Sequence, residues 1–224
     1  MSCSLRFLLK IALLLTMIFA LCIGLIRARP HNDGELRAFL TPPEGCPMPC
    51  FMGIRPGVTT AAEAIAILEA HEWVAEVYIY RSLDYGQIDL INWNWNEKKN
   101  PLIDQSRMAS IHAIDRVVAD ISIPTTFSLG ETWLVWGQPG DTSYVVGLGS
   151  EDAPLYLQIF SSYSELPLNI TTSMNCPYFP ILWHSPVVLT LHNGENPFGV
   201  LLVEQDTENS FLNFAIDLKR AACE

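Results

Sequence analysis

The chain has 224 residues, 50% of them hydrophobic and 17% charged, which suits one large domain or two small ones with ample core and excludes a disordered chain. The formal net charge is −11, but the first 29 residues carry Arg6, Lys10, Arg27 and Arg29 and no acid. The remainder therefore holds all 24 acidic residues against nine basic ones and stands near −15. So acidic a body repels phosphate backbones and anionic bilayer surfaces, which argues against a nucleic-acid partner.

The N-terminus is apolar. "IALLLTMIFALCIGLI" (Ile11 to Ile26) carries no charge, and with Leu5 to Leu9 added it reaches the length that a bilayer core requires. Residues 5–26 are expected to form a transmembrane helix, and residues 1–26 to act as an anchor or uncleaved signal. The following "IRARP" has arginines where a cleavage site wants small residues. Flanking basic residues occur on both sides, so charge leaves orientation open. Four cysteines (Cys46, Cys50, Cys176 and Cys223) follow, an even number that favours an oxidising, extracytoplasmic location for the rest of a single-pass cell-membrane protein. Residues 27–45 contain three prolines and two glycines without apolar periodicity, and read as a tether.

An extracytoplasmic domain is expected over 46–224. It opens on "CPMPCFMGIRPG". Thr60-Ala-Ala-Glu63 is then a capping box, with Ala61, Ala64, Ile65 and Leu68 on one helical face. "VAEVYIY", a turn at Asp84-Tyr-Gly86, and "IDLINWNWN" read as strands, and Val117, Ala119, Ile121 and Ile123 alternate along a third. Ser128-Leu-Gly-Glu131 is a second capping box, 68 positions after the first. It leads through Trp133 and Trp136 to a stop at Gly137-Gln-Pro139. "SYVVGLG" and "LYLQIF" follow, then a longer section with "VVLTLH", "GVLLVE" and "FLNFAIDL", whose Leu212, Phe214, Ile216 and Leu218 mark a buried side. The expected fold is α+β. It comprises the transmembrane helix and two tandem αβββ-like units, about 46–124 and 125–224, on one mostly antiparallel sheet with helices on one face.

The stretches "GVTTAAEAIAIL" and "FSLGETWLVWGQP" resemble the helix pattern of the small lipoproteins of outer-membrane assembly. Their tandem arrangement is similar to the β-lactamase inhibitor protein family, and "CPMPCFMGIRPGVTT" resembles a motif of uncharacterised single-pass bacterial envelope proteins. The chain departs from the lipoproteins in lacking a lipidation cysteine and in its 160–205 section. The resemblance implies a fold that binds other proteins, with no catalytic residue to carry over.

Four candidate sites remain. Cys46, Met48, Cys50 and Met52 could capture Cu(I), since thiolates and thioethers are soft ligands. Thiol redox work would need a cysteine activated at a helix start, yet Pro56 and Gly57 separate Cys50 from the helix. A structural disulfide, Cys46–Cys50 or one bridge to Cys176 or Cys223, is the third reading of the same residues. Among the histidines, His184 and His192 would share a face on an uninterrupted strand, while Pro186 interrupts the run; His71 lacks an H-E-x-x-H partner; His112-x-x-Asp115 leads into a strand. No nucleophile elbow or phosphate-binding loop is present, so any hydrolase would have to assemble its site in three dimensions. Trp93 and Trp95 face one way along "NWNWN", as a binding surface if exposed and as core if not. No cofactor is implied. The expected function is a membrane-anchored, extracytoplasmic, non-catalytic domain that binds another envelope protein or component.

Overall fold

The computed structural model describes residues 10–21, 34–41, 44–82, 88–147, 156–163, 166–175 and 181–194. The chain divides between Ala38 and Phe39 into two compact units. In the first, residues 10–21 form helix α1. The expected transmembrane helix is not found: among the described residues, no helix is long and apolar enough to cross a membrane. The described helical residues, 10–21, rise about 18 Å at ~1.5 Å each, against a hydrocarbon core of about 30 Å. Residues 5–9 and 22–26 lie outside the described residues. The expected tether holds a short helix, α2 (Gly34–Leu40), whose Phe39 is buried in the second unit.

The second unit contains helices α3 (Ala61–Ala70) and α4 (Leu129–Trp136) and a short 3-10 helix at Ile181–His184. Its strands are β1 (Val74–Ser82), β2 (Ile88–Trp95), β3 (Ala109–Ile114), β4 (Val117–Ser128), β5 (Asp141–Gly147), β6 (Tyr156–Tyr163), β7 (Leu168–Asn175) and β8 (Pro186–His192). They form one eight-stranded sheet in the order β1-β2-β3-β4-β8-β7-β6-β5, antiparallel at every pairing. This corrects the expected transmembrane helix followed by αβββ-like units: the architecture is mostly sheet with few helices, and among the described residues four strands follow each of α3 and α4. The missed strand β3 is joined to β4 by a two-residue turn, Asp115 (φ 50°) and Arg116 (φ 67°). That left-handed pair is the geometry of a tight hairpin, here built without the Asn-Gly that announces it in sequence. In the second half β7 lies within the section expected to be an insertion. "GVLLVE", "FLNFAIDL" and the turn at Asp84-Tyr-Gly86 lie outside the described residues.

Both helix starts are fixed locally. At Thr60 and at Ser128 the hydroxyl accepts from the N–H three residues on, while Glu63 and Glu131 reach back to the capping backbone N–H. Ala61, Ala64 and Leu68 are buried, and α3 packs against β1, β2 and β4. One side of the sheet is apolar, carrying Ile91 and Trp93 of β2, Ile111 of β3, Ile121 and Ile123 of β4 and Leu189 and Leu191 of β8, all at most 1% exposed. Alternation along β4 is broken. Ala113 pairs with Val118 and His112 with Asp120, so Ala119 is an extra residue and the phase shifts there. Val118, not Val117 or Ala119, is buried alongside Ile121 and Ile123. A one-residue bulge turns each preceding side chain to the opposite face. Pro124 is tolerated in this central strand because pairing with β3 ends at Ser122. Beyond it the loop takes over, with Asp104 donating to the Pro124 carbonyl and Thr126 donating to that of Leu102.

Candidate functional site

Cys46 and Cys50 are joined in a disulfide with a Cα–Cα separation of 5.9 Å, inside the ordinary range. The bond consumes both thiols, so in this state the motif offers neither the thiolates a Cu(I) site needs nor a redox-active thiol. Met48 and Met52 are half-buried beside it. Cys176 and Cys223 lie outside the described residues. The staple has a visible consequence in packing. Phe51, directly after Cys50, is buried edge-to-face against Phe39 at 5.7 Å and Trp95 at 6.5 Å, and Phe39 meets Phe127 at 6.3 Å. The next residues are bound to the sheet: Gly57 N–H donates to the Val118 carbonyl, and Val118 N–H to that of Thr59.

Trp93 and Trp95 belong to this core. They are 0% and 7% exposed with rings 5.4 Å apart, so neither presents a surface on which a sugar or peptide could stack. Of the two readings open for these residues, binding surface or core, their place on the apolar side of β2 under the Phe51 cluster fits core.

On the opposite side of the sheet, three titratable residues lie in one row across adjacent strands: His112 on β3, Asp120 on β4 and His192 on β8, each paired with the next in register. His112 Nδ1 stands 2.9 Å from Asp120 Oδ1. This hydrogen bond holds the His112 pKa above its ordinary value, outweighing partial burial. Asp120 is 1% exposed. His192 is 6% exposed and its pKa is pushed down by burial, with the charge on Asp120 acting in the other direction. Its Nδ1 accepts from Gly194 N–H, so the neutral ring carries its proton on Nε2, which has no partner among the described residues. Beside this row Ser122 and Thr190 share a hydroxyl contact at 3.0 Å. The arrangement can hold a proton between an imidazole and a carboxylate. It does not assemble a metal site, since no group of three ligands close enough to hold a metal ion is found among the described residues. His184 is exposed on the 3-10 helix and does not join the row. Sequence reasoning singled out His112 and His192 but missed Asp120. The signal was an acid inside the apolar run "VVADISI", where a carboxylate is buried only if paired.

The sheet is open at β1. Its ladder to β2 uses one edge of the strand, and no strand of the described residues pairs with the other. Ile79 is 43% exposed and Tyr80 56%, on opposite faces of the strand. Near the strand, Arg81 pairs with Asp89 at 3.4 Å, the Tyr78 hydroxyl donates to Glu76 at 2.6 Å, and Glu69 and Glu72 are exposed. No protein-family model, curated protein or solved structure matches this chain.

Proposed function

We propose that this is a non-catalytic binding domain, held at the cell membrane through its apolar N-terminal segment, with residues 46–224 on the oxidising, outer side, where it engages another envelope protein. The observation that carries the reading is the open edge of β1, nine residues long and apolar at Ile79 and Tyr80. Soluble proteins usually shorten, charge or cover such an edge, because it pairs readily with another chain. The Cys46–Cys50 disulfide supports the compartment, since structural disulfides persist where thiols are not kept reduced. The resemblance of the helix starts to envelope proteins that bind other proteins points the same way. A photo-crosslinking residue placed at Ile79 in intact cells should give discrete adducts of higher mass that are absent from the exposed control position Glu97. Equal yields at both positions, or no adduct, would remove the reading.

A hydrolase is a second reading, favoured by the contact between His112 and Asp120 at 2.9 Å. Turnover of a p-nitrophenyl ester that disappears in His112→Gln would select it. Under the binding reading, that variant leaves adduct formation at Ile79 unchanged.

A further inference from the structure

The proposed binding function leaves open what kind of segment the β1 edge accepts, and the strand itself narrows the choice. From the register, Glu76, Tyr78 and Tyr80 lie on the face shared with Asn94, Asn92 and Leu90, while Val77 and Ile79 share the face of Trp93 and Ile91. An added strand therefore meets aliphatic side chains on one face and two tyrosines on the other. Adjacent strands contribute mainly through such same-face pairs. The charge along the edge is graded. Glu69, Glu72 and Glu76 are exposed at or before the start of the strand, where Glu97, Lys98 and Lys99 follow the end of β2 and leave the acids in excess, whereas Arg81 near the far end pairs with Asp89 at 3.4 Å. His71, the one histidine beside these acids in sequence, has its pKa lowered by burial and adds no charge at neutral pH.

We infer that the outer edge of β1 takes up an extended segment of a partner protein as an added antiparallel strand, apolar in its middle and basic toward its C-terminal end; this rests on the binding function proposed above. Antiparallel addition lays the C-terminal end of the incoming segment beside Glu76 and Glu72, where Lys or Arg finds exposed carboxylates. A second copy of this chain is the poorer occupant. Two bodies each near −15 would be brought together, and a two-fold β1–β1 pairing centred on Tyr78 sets Glu76 against Tyr80 rather than against a base. The backbone supplies the affinity and the charge gradient sets the direction.

The test uses the full-length chain in mild detergent and three synthetic peptides. The first alternates Val and Thr and ends in two lysines, the second replaces those lysines with glutamates, and the third carries N-methyl groups on the backbone amides that would face β1. Binding is read by fluorescence anisotropy, and β1 amide protection by hydrogen exchange. The lysine peptide should protect outward-facing amides between Val74 and Ser82. N-methylation, which removes ladder donors without touching the protein, should weaken binding about tenfold or more. The glutamate peptide should bind several-fold more weakly at about 0.05 M salt, with the gap closing near ~0.5 M as screening shortens the reach of the carboxylates. Binding indifferent to N-methylation, or protection elsewhere than β1, overturns strand addition. No preference for lysine over glutamate overturns the basic segment. If Ile79 crosslinks to a partner in cells while the lysine peptide fails to bind, the binding function stands and this inference falls. Adducts of twice the chain's own mass would assign the edge to self-association and also overturn it.

Discussion

At the residue scale, the two cysteines and the three members of the polar row give the sharpest expectations. A loop as short as Cys46–Cys50 restricts the unfolded chain only modestly. The double variant Cys46→Ser/Cys50→Ser should therefore lose about 2 kcal/mol by the chain-entropy relation, read as a lower urea midpoint. Since Phe51 follows Cys50 into the aromatic cluster, the near-ultraviolet circular dichroism of the folded variant should also weaken. The histidines should titrate apart. With its pKa raised above 6.5 by Asp120, His112 adds stability that is full below 6.5 and is lost as pH climbs through its higher folded value. His192, with its pKa lowered by burial, behaves oppositely: its neutral form is favoured, and a penalty grows as pH falls from 6.5 through its folded value. Imidazole NMR titration should place His112 above 6.5 and His192 below it. His112→Gln should cost more stability at pH 5.5 than at pH 8.5, by denaturation at each; an equal cost at both would show that the contact with Asp120 carries no charge.

At the scale of elements, local signals were legible and long-range ones were not. The capping boxes at Thr60 and Ser128 could be read directly because every group in them lies within four residues. The path of the chain before α3 could not. Gly57 has φ 77°, and a Cβ built there would stand 2.9 Å from Cβ of Asn193, a residue just beyond β8 that is distant in sequence. Gly57→Ala combines left-handed backbone strain with that collision, and should cost at least about 2 kcal/mol in equilibrium unfolding. A smaller loss would mean that the loop shifts away from β8 freely. The bulge at Ala119 is the same kind of fact. Alternation in "VVADISI" predicts one inward set of residues, and the pairing of β3 with β4 selects another, because an extra residue moves the phase without marking itself in composition.

At the scale of the whole molecule, the pairing of β4 with β8 unites the two runs of strands in one sheet. It completes the apolar face and lines up His112, Asp120 and His192 on the other. Trp93 and Trp95 lie deep on the apolar side, so tryptophan emission should include a blue-shifted component that moves to the red only on unfolding. Titration with glycans should leave it unmoved; quenching by a soluble glycan in the folded state would contradict their burial.

The sequence by itself determined what depends on near neighbours: the helix starts, most of the strands, the acidic body and a cysteine pair close enough to join. These follow from hydrogen bonds and side-chain periodicity within a few residues, where chain connectivity leaves few alternatives. Only the tertiary structure decided which strands stand side by side, that β1 is left at an edge, that Trp93 and Trp95 face inward, and that a carboxylate meets His112 in a row with His192. Those outcomes depend on register between segments as far apart as Asp120 and His192, and a shift of one residue in pairing exchanges the apolar face for the polar one.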